Sequence, residues 1–432
     1  MVGVIKQESN MDKDIYLLDY YSNRDKQVVY APLYDYLELI DRPTTEKMLD
    51  EHHTAIKQRD CLEVENYDKN ISQIALSLTD TCNLKCRYCY AHGGYNDGKG
   101  HSNNALIYSV LKTYFKYLQS EKQQKCNISF DGGCEATCAF DLMQYAVATA
   151  NEFASSYGIE VTFSMATNGY FNEEVLRFVT QNFDAISLSF DGPKAVQDYH
   201  RPTVSGKGSY EKVFRTAKIL HDSSVNLAIR VVVTNYNVHR LDETLTFFES
   251  SLPGSKVVFG TMDNTDFITD VAPPDEAVYA ASLKKLSEKS YNLNWTTVNT
   301  KLFGGLKSSF CSSMSKPNWF VKTDGRVNTC MRDTQSNKPM FDIGYFNSDR
   351  NKVELDYRQL EYLKTFNIYD QDDCKSCFAK YICGGGCPYL RERNQQKCDL
   401  IREEALDYIN ERYDDQQTIR LLQDIFLNLD AK

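Results

Sequence analysis

The sequence lacks several features that would assign it to a large protein class. No apolar run reaches the about 18 residues that a membrane-spanning helix requires, so no membrane segment is expected. The first residues, MVGVIKQESNMDKDIYLLDYY, lack the apolar stretch of a secretory signal, which makes the cytoplasm the expected compartment. Positive charge is not in excess, because the formal net charge is −10, and this argues against a general nucleic-acid binder.

Low-complexity tracts and short-period repeats are also absent from the sequence. Hydrophobic residues make up 42% and charged residues 25%, which is typical of a soluble globular protein. With roughly 150 residues per domain, the 432 residues predict two to three domains.

Cysteine is the residue type that the chain does have in an unusual pattern. In a chain without a secretory signal, the 14 cysteines indicate metal ligands or reactive thiols rather than disulfides. Three lie between positions 82 and 89, and seven between 311 and 398. Of the four others, Cys61 and Cys126 are expected to be buried apolar thiols.

The chain divides into three parts by pattern. Residues 1–72 are polar and rich in tyrosine, and they predict two short strands and a helix, a small N-terminal cap or peptide-recognition segment. In residues 73–295 six apolar strands alternate with helices, which predicts parallel strands joined by right-handed crossovers. Residues 296–432 are rich in loops and cysteine before two helical stretches, and they are too loop-rich to fold on apolar burial alone, which suggests a metal staple.

The alternating part is compatible with two architectures. The near-continuous apolar strands favour a sheet covered on both faces. Both a partial (β/α)6 barrel and an open doubly wound sheet fit this pattern. In either fold the chemistry belongs at the carboxyl ends of the strands.

The first cysteine group directly follows an apolar strand. Cys82, Cys86 and Cys89 have the spacing C-x3-C-x2-C in ALSLTDTCNLKCRYCY. Three thiolates on one short loop can ligate three irons of a cubane cluster and leave the fourth iron open for a Lewis-base ligand. A structural zinc site is the competing interpretation, with His92 as its candidate fourth ligand.

This loop resembles the cluster motif of the radical S-adenosylmethionine (SAM) superfamily, including the aromatic Tyr88 before the third cysteine. The resemblance implies that Cys82, Cys86 and Cys89 hold a catalytic [4Fe–4S] cluster whose open iron chelates SAM. It also implies that reductive cleavage of SAM yields a 5′-deoxyadenosyl radical, which takes hydrogen from an unactivated carbon. The fold implied is the partial (β/α)6 TIM barrel of the radical SAM type.

Later strand ends resemble SAM-binding positions of the same family. ISFDGGCEAT stands where the family usually shows Gly-Gly-Glu-Pro, although Cys134 and Ala136 depart from that pattern. Asn168 is expected near the ribose, and Ser189 and Arg201 near the SAM carboxylate. An ordinary polar loop or a buried ion pair is the alternative for each of them. The resemblance implies cofactor contacts for Tyr88, Gly132, Gly133, Glu135, Asn168, Ser189, Arg201 and Arg230.

Arg230 adds an argument of its own, because it lies inside the apolar run NLAIRVVVT. A charge within an apolar strand needs a partner or an anion. The carboxylate of Glu135 is expected to accept hydrogen bonds from the SAM ammonium group.

The second cysteine group resembles the seven-cysteine SPASM extension of radical SAM proteins. Its spacing is Cys311-x13-Gly325-x4-Cys330, then Cys374-x2-Cys377-x5-Cys383-x3-Cys387-x10-Cys398. The resemblance implies a C-terminal iron–sulfur domain with two auxiliary [4Fe–4S] clusters, which makes three clusters in all. One would use Cys374, Cys377, Cys383 and Cys398, and the other Cys311, Cys330 and Cys387. The preceding KLFGGLKSSF offers no further cysteine, so the second auxiliary cluster has an open iron or an unassigned ligand.

Members with this extension mostly modify peptides or proteins, and SFDGPKAVQDYHRPTVSGKGSYEKV resembles maturases of ribosomally made peptides. The expected reaction is hydrogen abstraction from a precursor-peptide residue followed by cross-linking. A thioether is favoured, because an open auxiliary iron would bind a substrate thiolate. Carbon–carbon or carbon–oxygen cross-linking, epimerisation and sulfatase-type maturation stay open. Sulfatase-maturing enzymes carry an Asp directly after the second SPASM cysteine, whereas here the carboxylate is displaced to Asp333.

The expected partners follow from the same resemblance. They are a precursor peptide with a leader and a low-potential electron donor such as flavodoxin or ferredoxin, with no nucleic acid and no membrane. The N-terminal strands would bind the leader as an added strand, or else form a simple barrel cap. A zinc-ribbon binding module is the non-enzyme alternative, and metal analysis separates it from the enzyme.

Overall fold

The computed structural model divides the chain into two compact units, which are described separately. One unit comprises residues 71–300 and 317–360, and the other comprises residues 1–70, 301–316 and 361–432. The structure describes residues 3–4, 14–42, 46–64, 72–89, 91, 93–95, 100–132, 134–262, 270–297, 306–311, 318–330, 340–392, 398–399, 401–403 and 405–414.

An open parallel sheet forms the core of the first unit, as the alternating pattern predicts. Its six central strands are β5 (Ser72–Leu76), β6 (Lys125–Phe130), β7 (Glu160–Thr167), β8 (Ala185–Ser189), β9 (Asn226–Val233) and β10 (Lys256–Thr261). They lie in the sheet in the same order as in the chain. Successive right-handed crossovers in one direction place the connecting helices on a single face, as in half of a barrel. The sequential order therefore favours the partial barrel over the doubly wound sheet.

The helices of this unit alternate with the strands. They are α2 (Asn104–Ser120), α3 (Phe140–Tyr157), α4 (Glu173–Asn182), α5 (Lys194–His200), α6 (Tyr210–His221), α7 (Leu241–Ser251) and α8 (Glu276–Ser287). Side-chain caps fix several starts, since Asn103 accepts from the Leu106 amide and Asn172 from the Val175 amide. Gly158, in the left-handed conformation, ends α3.

The two faces of the sheet differ in chemistry. One face is buried and apolar, with Phe163, Met165, Ile186, Leu188, Ile229 and Val231. The opposite face is only half-buried and carries small side chains, among them Ser164, Ala166, Ser187, Ser189 and Ala228. The expectation that both faces are covered by apolar packing is therefore wrong, because crossovers that wind in one direction place the described helices of this unit on the other face.

Short strands that the sequence pattern did not predict extend both edges of the sheet. β11 (Asn294–Thr297) pairs with β10, and β12 (Trp319–Val321) pairs in parallel with β5. β13 (Arg326–Asn328), β14 (Asp342–Asn347) and β15 (Lys352–Leu355) continue antiparallel from β12. Trp319 is buried against α2, with its ring centroid 5.2 Å from that of Tyr114.

The second unit contains a four-stranded antiparallel sheet and a helix. The elements are β1 (Gly3–Val4), β2 (Tyr16–Asp19), β3 (Lys26–Ala31), β4 (Tyr36–Asp41) and α1 (Glu46–Lys57). The run KQVVYAPLYDYLELI forms two strands rather than the single one predicted, because a 3-10 turn at Pro32–Tyr34 and left-handed Asp35 reverse the chain. The helix is confirmed.

This sheet shares its core with the cysteine-rich C-terminal region. Tyr16 and Leu18 pack in one cluster with Phe378, Ile382 and Ile409. The Tyr16 hydroxyl also donates to the Cys377 carbonyl oxygen at 3.2 Å. The segments predicted as separate N-terminal and C-terminal domains therefore fold as parts of one unit.

The helical prediction at the C-terminus is confirmed in part. Residues 398–399, 401–403 and 405–414 are helical, and the second predicted helix, QQTIRLLQDIFLNL, lies outside the described residues. Across the described ranges, no helix is both long enough and apolar enough to cross a membrane. Cys126 is buried as expected, whereas Cys61 is exposed, which corrects the prediction for that thiol.

Candidate functional site

The first cysteine group lies on the loop that follows β5. Gly93 brings two of its thiols together: a Cβ atom at this position would lie 3.5 Å from Cys89 Sγ, 3.6 Å from Cys82 Sγ and only 3.1 Å from Cys82 Cβ. The Gly93 amide donates to Cys89 Sγ at 3.3 Å. A side chain at position 93 would crowd this space, so the glycine is needed for the thiols to face one another.

The third thiol of the group, Cys86, is buried beside the other two. Cys82, Cys86 and Cys89 belong to one apolar cluster with Leu84 and Tyr88. Burial raises the pKa of Cys86 to about 12, although the nearby Arg201 guanidinium opposes the shift. Burial also raises the pKa of Cys82. Since metals bind thiolates, loading this site must release protons.

A short ladder fixes the cysteine loop to the segment after α5. The Lys85 amide donates to the Pro202 carbonyl oxygen at 2.8 Å, and the Arg87 amide to the His200 carbonyl oxygen at 3.0 Å. These bonds position the backbone on both sides of Cys86.

Asp191 forms the centre of a buried polar network behind the loop. Its carboxylate accepts from Arg201 Nε at 2.9 Å, from the Tyr88 hydroxyl and from the Val232 amide at 2.9 Å. His200 Nδ1 lies 3.1 Å from the same carboxylate. Burial acts to raise the pKa of Asp191, but the Arg201 and His200 interactions outweigh it and hold the pKa well below its usual range. A buried ion pair with this many bonds orders the loop and costs several kcal/mol to break.

This network gives two predicted cofactor residues structural partners. The Tyr88 hydroxyl is bonded to Asp191, and the Arg201 guanidinium lies 5.2 Å from the Tyr88 ring centroid. Tyr88 therefore lies on the cysteine loop, and Arg201 lies next to it. Their predicted contacts with SAM stay predictions.

Glu135 joins the ends of β6 and β7. Its buried carboxylate accepts from the Thr137 hydroxyl at 2.7 Å, the Thr167 hydroxyl at 2.9 Å and the Asn168 amide at 2.8 Å. Burial raises the pKa of Glu135, and these hydrogen bonds limit the rise. Among the described residues, Oε2 accepts only from the Asn168 backbone amide, which leaves a lone pair for a further donor.

Asn168 connects this corner to the cysteine loop. Its side-chain amide donates to Asn83 Oδ1 at 2.8 Å and lies 3.6 Å from Cys82 Sγ. Gly132 allows close backbone approach, since a Cβ atom there would lie 2.5 Å from Ser77 Oγ. Gly133, the second predicted glycine, lies outside the described residues.

Ser189 and Arg230 lie beside each other on β8 and β9. Ser189 is half-buried on the small-residue face, and the Arg230 side chain is exposed. The expectation that Arg230 is a buried charge in need of a partner is wrong, because its strand alternates and only the opposite face is buried. The SAM contacts predicted for both residues stay predictions.

The donor set fits a cluster better than a single ion. Within the described part of the chain, no three Cys, His, Asp or Glu side chains converge on a single-ion site. A cubane does not require such convergence, because each thiolate binds a different iron. Three thiols grouped on one loop, with no fourth cysteine in the sequence of that loop, match a cluster with one open iron.

Four other cysteines surround one cavity in the C-terminal part of the second unit, the unit that comprises residues 1–70, 301–316 and 361–432. The lining includes Cys374, Cys377, Cys383 and Cys398, with Arg391 and Arg402 beside them. Short helices position these residues, at Asp372–Lys375, Lys380–Cys383 and Pro388–Glu392. These are the four cysteines that the resemblance to the SPASM extension assigns to one auxiliary cluster.

The other predicted auxiliary set is divided between the two units. Cys311 and Cys387 belong to the C-terminal unit, whereas Cys330 belongs to the unit with the parallel sheet. Met331, Arg332 and Asp333 lie outside the described residues. The cluster predicted for Cys311, Cys330 and Cys387 therefore stays a prediction.

Comparison with known proteins agrees with this geometry. Residues 76–248 match the family model of the radical SAM superfamily. The matched segment begins at the end of β5 and ends in α7, so it contains the first cysteine group, Glu135 and the Asp191 network. The chain therefore contains a radical SAM domain at residues 76–248.

Individual relatives extend the similarity beyond this domain. A cysteine-type anaerobic sulfatase-maturating enzyme of Clostridium novyi is 24% identical over 352 residues, which cover 76% of this chain and 90% of the relative. A serine-type sulfatase-maturating enzyme of Klebsiella aerogenes is 28% identical over 155 residues, 36% of this chain and 38% of the relative.

Two solved structures share the fold. The enzyme anSMEcpe with bound AdoMet superposes with a TM-score of 0.59 at 19% identity, over 81% of this chain and 98% of the other. Streptococcus suis SuiB bound to S-adenosylmethionine superposes with a TM-score of 0.52 at 12% identity, over 91% of this chain and 97% of the SuiB chain. These likenesses confirm the predicted α/β fold with a C-terminal extension.

Several residues of the site were not predicted from the sequence. Asp191, His200 and Asn83 connect the predicted residues, and Arg391 and Arg402 lie at the second cysteine site. An acidic residue directly after an apolar strand was a usable signal for Asp191. The two arginines had no such signal, because their role depends on contacts with cysteines of other turns.

Proposed function

We propose that this chain is a peptide maturase: it removes hydrogen from a residue of a ribosomally made precursor peptide and installs a cross-link, with a thioether favoured. When bound, the cluster and SAM supply the 5′-deoxyadenosyl radical that abstracts the hydrogen atom. The single observation that carries the proposal is the loop on which Cys82 and Cys89 lie beside Gly93 and Cys86 packs in the same cluster, next to Glu135 and Asn168 at neighbouring strand ends.

The roles of the chain's own residues follow from their contacts. Cys82, Cys86 and Cys89 would ligate the cluster as thiolates. The free lone pair of Glu135 Oε2 suits the ammonium group of SAM. Asp191 orders the loop by binding Tyr88 and Arg201.

A peptide substrate is supported by the solved relatives and by the N-terminal sheet. SuiB has been solved bound to a precursor peptide, SuiA, and anSMEcpe with a peptide, Cp18Cys. In the described sheet β4 is an edge strand, so its outer backbone groups suit pairing with an added strand. We assign the leader of the precursor to that edge.

Thioether formation is favoured by the number of cysteines in the C-terminal group. Once four line the cavity described above, Cys311, Cys330 and Cys387 are left for the other auxiliary cluster. Three protein ligands would leave an iron for a substrate thiolate. The proposed cofactors are three [4Fe–4S] clusters and SAM, reduced by flavodoxin or ferredoxin.

Maturation of a sulfatase is the second candidate. It is favoured by the 24% identity to the C. novyi enzyme across 90% of that relative. The displacement of the carboxylate after Cys330 to Asp333 speaks against it.

Anaerobic incubation with SAM, dithionite and candidate peptides tests the proposal. The peptides are precursors with leaders and a cysteine-containing sulfatase segment, and each product is read by tandem mass spectrometry. A loss of two hydrogens, with the substrate cysteine protected from alkylation, supports the thioether. The same mass loss with a free thiol supports a carbon–carbon or carbon–oxygen link, and deuterium uptake without mass loss supports epimerisation.

Two results contradict the proposal. Turnover of only the sulfatase segment would favour the second candidate. Full metal loading with about two to three zinc atoms instead of about 11–12 iron atoms, and no 5′-deoxyadenosine, would contradict radical chemistry altogether.

A further inference from the structure

The four-cysteine cavity contains a guanidinium in contact with its thiols. Arg391 Nη2 lies 3.3 Å from Cys374 Sγ and 4.0 Å from Cys398 Sγ. The same side chain donates through Nε to the Gly385 carbonyl oxygen, which fixes its orientation. Arg391 is thus held with its charge directed at two of the four sulfurs.

A second guanidinium approaches from the helical segment after Cys398. Arg402 lines the same cavity, where its interaction with the Cys377 thiol is the main cause that raises the pKa of Arg402. Three of the four sulfurs therefore have an arginine beside them.

The acidic partners of these arginines do not cancel their charge inside the cavity. Arg391 lies 3.8 Å from Asp373, and Arg402 lies 2.8 Å from Asp399. The two carboxylate side chains are 80% and 95% exposed, so water and salt screen them. Asp373 also lines the cavity, but screening weakens the two carboxylates more than the guanidinium groups, whose side chains are 17% and 38% exposed.

The sulfurs of the first cysteine group have a different environment. Cys89 Sγ accepts from the Gly93 amide, and the neighbour of Cys82 Sγ is the neutral side-chain amide of Asn168. Arg201 lies near Cys86, but its charge is paired with the fully buried carboxylate of Asp191. Arg201 also hydrogen-bonds to the Cys86 thiol, but its charge is offset by Asp191, and the other donors at these sulfurs among the described residues are neutral.

We infer that Arg391 and Arg402 raise the reduction potential of the cluster held by Cys374, Cys377, Cys383 and Cys398 above that of the SAM-binding cluster. Reduction adds negative charge, which N–H···S hydrogen bonds and adjacent cations stabilise. The inference rests on the proposed function, since it takes these cysteines to hold a [4Fe–4S] cluster. Its consequence is that the C-terminal site holds an electron more tightly than the site at β5.

The experiment is a potentiometric titration of the full, anaerobically reconstituted chain, followed by electron paramagnetic resonance. Wild type is compared with Arg391→Gln, Arg402→Gln and the double variant, each checked first for iron content. We expect one signal to shift to more negative potential in each single variant and further in the double variant. The other signals serve as internal controls and stay in place.

Matched variants distinguish an effect of the arginine charge on the potential from an effect on cluster assembly. Arg391→Lys keeps a cation and should shift the signal less than Arg391→Gln. Arg412→Gln, whose partner is Asp35 in the same unit, should shift nothing. If wild type does not bind iron at the four cysteines, the proposed function fails together with the inference. If iron is bound and the potentials of the arginine variants equal that of wild type, the inference alone is wrong.

Discussion

The two cysteine sites of this chain use opposite means to hold their thiols. The first lies at the end of a parallel strand, where a buried carboxylate network behind the loop fixes three cysteines. The second lies among short helices, where two arginines face four cysteines directly. Cysteine spacing identified both sites, but only the contacts show that their electrostatic surroundings differ.

Separate removal of one ligand from each site gives the largest expected effect. Cys86→Ala should abolish 5′-deoxyadenosine formation and remove about four irons per chain. Cys383→Ala should also remove about four irons but leave 5′-deoxyadenosine formation intact, because the first site is untouched. Iron analysis and product chromatography measure both. Equal loss of 5′-deoxyadenosine in the two variants would mean that the sites do not act separately.

Removal of the charge behind the first loop should cost stability. Asp191→Asn leaves Arg201 without a buried partner, so we expect a loss of about 3–5 kcal/mol in the free energy of unfolding. Urea denaturation of the apoprotein measures this loss. Asp373→Asn at the second site, where the carboxylate is exposed, should change stability by no more than about 0.5 kcal/mol.

Urea denaturation at low pH tests the same ion pair. The pKa of Asp191 is depressed in the folded chain, so its contribution is complete above the unfolded-state pKa of about 3.9 and is lost as the pH falls below it. The stability gap between wild type and Asp191→Asn should therefore be constant from pH 7 to 5 and shrink below about pH 4. A gap that widens in acid would contradict the ion pair.

The pH should affect metal loading at the two sites in the same direction. Burial raises the pKa of Cys86 and that of Cys383 to about 12 in the folded apoprotein. The thiols are thus protonated at neutral pH and must lose protons to bind iron. The variant Cys86→Ala reports on loading of the second site, and Cys383→Ala reports on loading of the first. In both variants, iron–sulfur reconstitution followed by absorbance should be faster at pH 8.5 than at pH 6.5. Equal rates at the two pH values would show that thiol deprotonation does not limit loading.

The smallest expected effect concerns the glycine between the thiols. Gly93→Ala places a Cβ atom 3.1 Å from that of Cys82, an overpacking that costs about 1–3 kcal/mol. We expect reduced iron at the first site and normal iron at the second. Gly254→Ala strains a left-handed residue with no atom within 4 Å of the added carbon, so it should lower stability without lowering iron.

Local patterns predicted the central elements of the fold almost residue by residue. EEVLRFVTQN and LDETLTFFESS coincide with α4 and α7, because amphipathic spacing marks their length and Asn172 caps the start of α4. The short α5 and strands β12–β15 were missed, since elements of three to seven residues carry little periodicity. Tertiary pairing, not local preference, forms them.

The site was predictable only where the ligands share one stretch of chain. Cysteine spacing predicted two groups of ligands, and Glu135 was predicted from its place after β6. Asp191 was not predicted as a centre, because its partners come from the cluster loop, the end of α5 and β9. Asp191 forms this network only when its own segment, the cysteine loop, the end of α5 and β9 come together in the folded chain.

The half-buried sheet face with small side chains has a consequence for the evolution of this enzyme's sequence. Ser164, Ser187, Ser189 and Ala228 lie on that face, whereas the packed apolar core lies on the other. Replacing these small side chains alters the shape of the surface but leaves the interior packing as it is. The surface can therefore change its shape there without the loss of stability that substitutions in a packed interior bring.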